Sequence, residues 1–189
     1  KSLEEGTLRT INAVAKEYHS QERFEEAKAM FLQVLQAYDL QYGPYHKRTL
    51  QAIENLASCV MDEGDLEEAK EYFLQAFSGR EKTFGPEHPS TLRTAGIIAN
   101  ILQDTHADFK VTQQYYMRAI SGYENSQNGD ASNPELLQTL LSYGTLLESE
   151  NQIDDAQMYL DRAATGFLNL YGPEHVSTLA ALSQLANIY

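Results

Sequence analysis

The chain has 189 residues, of which 42% are hydrophobic and 22% are charged, so it is long and apolar enough to form a globular domain with its own core. Its formal net charge of -13 argues against binding to the phosphate backbone of a nucleic acid, which requires clustered Lys and Arg. No apolar run approaches the roughly 18 residues that a membrane span requires, so we expect neither nucleic acid nor membrane as a partner.

An amphipathic helical pattern recurs five times along the sequence. Apolar residues occupy positions i, i+3, i+6, i+7 and i+10, which lie on one face of an α-helix. The copies start 42, 42, 45 and 42 residues apart, at Leu8, Leu50, Leu92, Leu137 and Leu179. The first face comprises Leu8, Ile11, Val14, Ala15 and Tyr18, and the last comprises Leu179, Leu182, Leu185, Ala186 and Tyr189. A small fourth member predicts close approach by another helix, and these members are Ala15, Ala57, Ala99, Gly144 and Ala186.

A second helical pattern follows each of the first four copies. It begins near Phe24, Leu66, Phe109 and Ile153. In every copy a small residue precedes a large one by four positions, which again predicts a site of close helix contact. The small residues are Ala27, Ala69, Thr112 and Ala156, and the large ones are Phe31, Phe73, Tyr116 and Leu160. The two patterns together predict pairs of helices.

Nearly the same loop separates three of the pairs: YGPYHKRTL from Tyr42, FGPEHPSTL from Phe84 and YGPEHVSTL from Tyr171. Gly followed by Pro is typical of a helix end, and we expect the three glycines, Gly43, Gly85 and Gly172, in the left-handed conformation. The third copy departs from this pattern, because it has Asn128-Gly129 and a longer loop.

The loop histidine could be a ligand, a catalytic base or a helix cap. In the third copy its place is taken by Asn133, and Asn is among the best N-cap residues. Packed helices lie roughly 8–10 Å apart, which is too far for equivalent histidines to share a metal. We therefore interpret the three histidines, His46, His88 and His175, as structural caps.

One cysteine, Cys59, is present, which excludes an internal disulfide and is typical of a reducing compartment. It lies in an apolar periodic stretch, so we expect a buried and unreactive thiol. The opening residues KSLEEGTLRT contain no apolar segment of the kind found in secretory leaders. These features predict a cytoplasmic protein.

The small–large helix pairs resemble tetratricopeptide repeats, whose usual period is shorter, about 34 residues. The 42-residue period with GPEHPSTL between repeats is similar to the kinesin light chain subfamily, a form that also recurs in NLR-like receptors. The resemblance implies an all-α, right-handed α-solenoid of antiparallel helix pairs with about nine helices. The repeats would cover residues 7–48, 49–90, 91–135, 136–177 and, in part, 178–189.

The chain lacks an initiator Met and stops after a first helix, so we expect a fragment of a longer array. Because solenoids normally end in a polar cap, an uncapped C-terminal repeat would also favour self-association.

Catalytic motifs are missing from the sequence. It contains no G-x-S-x-G, H-E-x-x-H or G-x-G-x-x-G motif and no P-loop, and the acidic run DEGDLEEAKE lacks the ligand spacing of a calcium loop. We therefore predict no catalytic residue, no metal site and no cofactor, and we expect that the protein is not an enzyme.

In tetratricopeptide arrays the first helices line a concave groove, so the resemblance implies a scaffold that binds a peptide or a partner protein there. The residues implied in binding are Arg9, Asn12, Lys16, Glu54, Asn55, Ser58, Met61, Arg93, Asn100, Gln103, Leu141, Thr145 and Asn187. Asn and Gln side chains suit recognition of the backbone of an extended peptide. Asn12, Lys16, Asn55 and Arg93 also partly resemble the carboxylate clamp of chaperone-binding repeats.

Other functions remain open at this point. The protein could be a ligand-sensing or oligomerisation section of a larger, NLR-like signalling protein, with the groove occupied by neighbouring segments. A groove that is merely solvated is a further alternative.

Overall fold

The computed structural model describes residues 4–126 and 133–188, and these residues form helices joined by short turns, with no β-strand among them. In sequence order the helices are α1 (Glu5–Ser20), α2 (Phe24–Tyr42), α3 (Lys47–Glu63), α4 (Leu66–Phe84), α5 (Pro89–Asp104), α6 (Phe109–Asn125), α7 (Pro134–Ser149), α8 (Ile153–Tyr171) and α9 (Val176–Ile188). Odd-numbered helices carry the first pattern and even-numbered helices the second. The Asn128-Gly129 pair and Tyr189 lie outside the described residues.

The chain divides into two compact units, Lys1–Thr94 and Ala95–Tyr189, and the boundary falls inside α5. In the N-terminal unit, α1 packs on α2, α2 on α3, and α3 on α4. In the C-terminal unit, α6 packs on α7, α7 on α8, and α8 on α9, with a smaller contact between α7 and α9. Among α1–α4 and among α6–α9, helices that follow one another in sequence are therefore neighbours in space.

The small–large pattern of the second helices is confirmed. All four small residues, Ala27, Ala69, Thr112 and Ala156, are buried, and so are all four large ones, Phe31, Phe73, Tyr116 and Leu160. On the first helices, Gly144 shows how tight the contact is, since a Cβ there would lie 2.6 Å from Leu160 Cγ. Small side chains are required at these positions because a larger one would displace the facing helix.

A second row of close contacts was not predicted. A Cβ on Gly79 of α4 would lie 2.4 Å from Leu50 Cδ2, and one on Gly166 of α8 would lie 2.2 Å from Leu137 Cδ2. Both leucines open a first-helix face and both are buried. In these two pairs the start of the first helix therefore packs against a glycine in the second half of its partner helix.

The turn inside each helix pair has one residue with a positive φ. The four residues are Glu22 (φ 59°), Gly64 (φ 106°), His106 (φ 52°) and Asn151 (φ 57°). Each turn also contains a hydrogen bond that spans five residues, such as Arg23 N–H to Tyr18 O at 2.9 Å and Gln152 N–H to Leu147 O at 2.8 Å. This is the pattern of a Schellman helix end, which needs a left-handed residue after the helix. The left-handed cap is thus located within the pairs.

The loop glycines adopt a different conformation from the one expected. Gly43, Gly85 and Gly172 have φ of 85°, 93° and 83°, but their ψ values of 168°, 165° and 175° are extended. The predicted left-handed helical conformation is therefore wrong for all three. Positive φ with extended ψ is essentially restricted to glycine, so the residue type is still explained.

The loop threonine and histidine hold the start of the next first helix. The hydroxyls of Thr49, Thr91 and Thr178 donate to the carbonyl oxygens of Gly43, Gly85 and Gly172 at 2.8, 3.0 and 2.8 Å. The side chains of His46, His88 and His175 accept from the backbone N–H two residues later at 3.2–3.3 Å.

In the third copy, Asn133 accepts from the N–H groups of Glu135 and Leu136 at 2.9 and 3.1 Å. The prediction that the histidines are caps is confirmed. The imidazole ring of each loop histidine also stacks on the aromatic residue that begins the loop. The centroid distances are 4.5 Å from His46 to Tyr42, 4.8 Å from His88 to Phe84 and 4.2 Å from His175 to Tyr171.

Four positions of the predicted apolar faces are exposed: Val14, Leu179, Leu182 and Ala186. Val14 of α1 and Leu179 and Leu182 of α9 have 38%, 54% and 41% of their surface accessible. On α9 the buried residues are Thr178 and Ala181, which indicates that the packed side of the helix is the one that carries them, and α9 packs on α8 and α7. The prediction of a buried face is wrong at these four positions, and the prediction of close helix contact at the small fourth member is therefore also wrong for Ala186.

Cys59 is fully buried, and its thiol donates to the carbonyl oxygen of Phe24 at 3.6 Å. Burial, with smaller contributions from Glu63 and Asp62, raises the pKa of Cys59 to about 11. The prediction of a buried and unreactive thiol is confirmed, since the thiolate is the reactive form.

The contact of Gly79 with Leu50 predicts that replacing this glycine by alanine, a change that normally favours a helix, destabilises the protein. Gly79→Ala should lower the free energy of unfolding by about 1–2 kcal/mol, because overpacking against Leu50 outweighs the higher helix propensity of Ala. Gly6→Ala in α1 is the matched control, since a Cβ there meets nothing within 4 Å. It should leave the free energy of unfolding unchanged or raise it by up to about 1 kcal/mol. Urea denaturation measures both, and equal effects would contradict the contact.

The capping geometry predicts that Asn can replace the loop histidine. His88→Asn keeps an acceptor for the Ser90 N–H and loses only the stacking on Phe84. It should cost less than His88→Ala, which removes the cap and should cost about 0.5–2 kcal/mol of unfolding free energy. Thermal melts of the two variants check this, and an equal loss would show that the ring stacking is the important contact.

Candidate functional site

The N-terminal unit presents the predicted binding residues of α1, α3 and the start of α5 on one surface, here called the N-terminal face. It comprises Arg9, Asn12, Lys16, Asn55, Ser58, Met61 and Arg93. Arg9 and Lys16 are exposed, while Ser58 and Met61 are half-buried. The Asn55 side-chain NH2 donates to Asn12 Oδ1 at 3.0 Å and so links α1 to α3. Gln51 in turn donates to Asn55 Oδ1 at 3.3 Å, which fixes the orientation of the Asn55 amide.

One carboxylate, that of Glu5, pairs with two arginines, Arg9 of α1 and Arg48 of α3. Glu5 accepts from Arg9 at 2.5 Å and pairs with Arg48 at 2.6 Å. The hydrogen bond from Arg48, and to a lesser extent the charges of both arginines, hold the pKa of Glu5 below its usual value. The charge of Arg9 is therefore partly cancelled, and Lys16 is the more available cation on α1.

Glu54 is buried, so its prediction as an exposed binding residue is wrong. Its Oε2 accepts from Arg80 of α4 at 2.5 Å and from Arg93 of α5 at 3.0 Å, and its Oε1 accepts from the hydroxyl of Thr94 at 2.7 Å. Glu54 and Arg80 are 3% and 5% exposed, whereas the Arg93 side chain is 47% exposed. The physical reason is its direction: the Glu54 side chain points toward α4 and α5 and away from the solvent.

Sequence reasoning missed Arg80, although the repeat contains a signal. Arg80 falls at the place that aromatic residues take in the other second helices, Tyr38, Tyr123 and Phe167. All three aromatics are buried. A cation that breaks a buried aromatic column needs a buried anion, and Glu54 supplies it.

The C-terminal unit presents a corresponding surface, here called the C-terminal face, which comprises Asn100, Gln103, Thr145 and Asn187. Asn187 is exposed, and the other three are half-buried. Gln103 of α5 donates to the Thr145 hydroxyl of α7 at 3.4 Å. Beneath them lies the buried Tyr116 of α6, whose hydroxyl is 2.7 Å from Asn100 Oδ1 and 2.6 Å from Gln103 Oε1. Tyr116 was predicted only as a core residue.

Leu141 was predicted as an apolar contact for a ligand, but it is buried. It occupies the repeat position of Glu54, and that row faces the interior in both helices. The prediction of an exposed side chain is wrong here for the same reason.

Within the described ranges, no group of three or more His, Cys, Asp and Glu side chains is placed to hold a metal ion. Among the helices of those ranges, none combines the length and the apolar character needed to cross a membrane.

Two family profiles match the chain, and both are described as tetratricopeptide repeat. One covers residues 48–125 and the other residues 7–38, together more than half of the sequence. No curated protein matches the chain in sequence.

Solved structures match the chain over nearly its whole length. A Podosopora anserina protein with nearly identical TPR-like repeats, described as a kinesin light chain, is 21% identical, with a TM-score of 0.79 over 97% of this chain and 85% of that one. BtubC (BKLC) from P. vanneervenii is 17% identical, with a TM-score of 0.83 over 96% of this chain and 71% of that one.

A Rap protein complexed with Competence and Sporulation Factor is 19% identical, with a TM-score of 0.61 over 96% of this chain and 52% of that one. At these identities the matches establish the fold. The all-α, TPR-like fold class predicted from the repeats is confirmed.

The buried Glu54–Arg80 pair predicts strong coupling between two substitutions. Glu54→Leu leaves Arg80 without its buried partner and should cost about 3–5 kcal/mol of unfolding free energy. Arg80→Tyr should cost less, because Arg93 still pairs with Glu54. The double variant imitates the uncharged side chains found at these places in other copies and should recover at least half of the Glu54→Leu loss. Chemical denaturation of all four proteins checks this, and additive losses would contradict a coupled pair.

Proposed function

Because the chain belongs to the tetratricopeptide repeat proteins, a class that consists mainly of non-enzymatic interaction scaffolds, we propose that it binds an extended peptide segment of a partner protein along its first helices. The observation that carries the proposal is the concentration of half-exposed amide and hydroxyl side chains on the two faces. An extended peptide offers alternating N–H and C=O groups, and amides can pair with either.

The proposed contact residues are those that the structure leaves accessible. They are Arg9, Asn12, Lys16, Asn55, Ser58, Met61, Arg93, Asn100, Gln103, Thr145 and Asn187. Glu54 and Leu141 are excluded because they are buried. Glu54 instead contributes indirectly, since it orients the half-exposed guanidinium of Arg93.

The charge distribution is compatible with this role. Much of the acid is on the second helices, where Glu25, Glu26 and Glu67 are exposed, and not on the two faces. The exposed Lys16 and the half-exposed Arg93 give the N-terminal face cationic groups although the protein as a whole is acidic. The structurally similar Rap protein complexed with its factor supports binding by a fold of this kind.

A selection experiment tests the proposal. A random peptide display library is panned against the immobilised protein, and recovered peptides are made with a fluorescent label for anisotropy measurements. Ser58→Arg places a long charged side chain in the middle of the N-terminal face and should weaken binding of a peptide at that face at least tenfold. The melting temperature should change little, because Ser58 is only half-buried.

Glu25→Arg on α2 is the matched control, since it introduces the same side chain at an exposed site away from the faces. It should leave the affinity within about twofold, which corresponds to about 0.4 kcal/mol. If Glu25→Arg abolished binding and Ser58→Arg did not, the partner would bind the second helices. Recovery of no peptide would favour the alternative in which neighbouring segments of a larger signalling protein occupy the faces.

A further inference from the structure

Beneath the C-terminal face, the Tyr116 hydroxyl contacts two side-chain amide oxygens but has only one hydrogen to donate. The Tyr116 hydroxyl lies within hydrogen-bond distance of two amide oxygens, Asn100 Oδ1 at 2.7 Å and Gln103 Oε1 at 2.6 Å. Burial raises the pKa of Tyr116, with a smaller opposing effect of the hydrogen bond from Ser142, so the hydroxyl is neutral and has one proton. One proton cannot serve two acceptors, so one amide must present its NH2 group to the phenol oxygen.

The orientation of Gln103 is fixed by its second partner. The Thr145 hydroxyl donates to the carbonyl oxygen of Ser142 at 2.7 Å, so its own oxygen is left to accept. Gln103 Nε2 lies 3.4 Å from that oxygen, a long contact in which the NH2 group finds an acceptor, whereas an amide oxygen in its place would find no proton. The oxygen of Gln103 therefore faces Tyr116 and receives the phenol proton.

We infer that the Asn100 amide is turned with its NH2 toward Tyr116 and presents its carbonyl oxygen to the C-terminal face, where it accepts a hydrogen bond from a ligand N–H. Interchange of the oxygen and nitrogen ends costs no change in shape, because the two ends of an amide are nearly isosteric. Tyr116 then donates to Gln103 and accepts from Asn100, so all three groups are satisfied. Tyr116 is the positioning residue, and Asn100 sets the polarity of this part of the face.

This orientation specifies a chemical class of ligand group. A carbonyl oxygen at Asn100 selects a donor, such as a backbone N–H of an extended peptide, and disfavours a backbone carbonyl at the same place. The ligand side of the inference rests on the proposed function, whereas the orientation of Asn100 does not.

Side-chain amide resonances of the free protein test the orientation. The Asn100 NH2 signals are assigned by their loss in Asn100→Ala and followed in Tyr116→Phe, which removes only the phenol oxygen. One Asn100 proton should move upfield and exchange faster with water, while the exposed Asn187 amide, at the same place in the fifth first helix, should not change. Unchanged Asn100 signals would overturn the inference, because the NH2 would then already face solvent.

A second variant keeps the test decisive if Tyr116→Phe disturbs the fold. Asn100→Asp places an oxygen at both ends of the side chain. If the NH2 of Asn100 faces Tyr116, this change sets two oxygens together and should lower the melting temperature. An unchanged melting temperature would show that an oxygen already faces Tyr116, and it would overturn the inference.

The ligand class is tested with a labelled peptide recovered from the display library. Its backbone nitrogens are methylated one at a time, which removes single N–H donors. One methylation should weaken binding to the native protein about fivefold, the effect of one net hydrogen bond, and should have no effect on binding to Asn100→Ala. Equal sensitivity of the two proteins at every position would overturn the acceptor role. Recovery of no peptide would overturn the proposed function alone, since the resonances of the free protein decide the orientation.

Discussion

The described helix pairs depend on how closely a first helix can approach its second helix. Leu50 and Leu137 rest on the backbone at Gly79 and Gly166, where a single added carbon would lie within 2.4 Å of a leucine methyl group. In the α7–α8 pair there is a second close contact, because Leu160 packs against Gly144 in the same way. Two separated points of close contact fix both the distance and the angle between the two helices of a pair. The rotation of the first helix about its own axis is then also fixed, and with it the side of the helix that faces the solvent. The polar faces exist because their apolar counterparts are held in place.

The loops between pairs contribute the second constraint, which is where each first helix begins. Threonine closes the loop onto the glycine carbonyl, histidine caps the helix, and the preceding aromatic ring covers the histidine. Because these contacts are local, they determine the residue at which the helix begins, and so the direction of its first side chains, independently of the core. Agreement between the local cap and the distant leucine–glycine contact explains how similar side chains reach corresponding places in successive repeats.

The repeat made much of the fold predictable, because positions that recur at one spacing must share an environment. The buried small–large pairs and the caps followed from this, and so did the inert thiol at Cys59. Positions that depart from the repeat were not predictable in the same way. Glu54 and Arg80 are 26 residues apart, and only their proximity in space explains why either charge can be buried. Positive φ at Glu22, His106 and Asn151 also has no strong sequence signal, since these residue types occur widely in other conformations.

The hydrogen-bonded group formed by Glu54, Arg80, Arg93 and Thr94 limits how such a repeat protein can evolve. The carboxylate belongs to the second repeat together with Arg80, but Arg93 and Thr94 come from the beginning of the third. A gene duplication that inserted another copy after the second repeat would have to supply an arginine and a threonine at those two places, and Gln51 and Ala52 of the second repeat itself could not do so. The sequence consists of near copies of one repeat, yet at this junction a copy of the second repeat cannot replace the third without losing two partners of Glu54, Arg93 and Thr94.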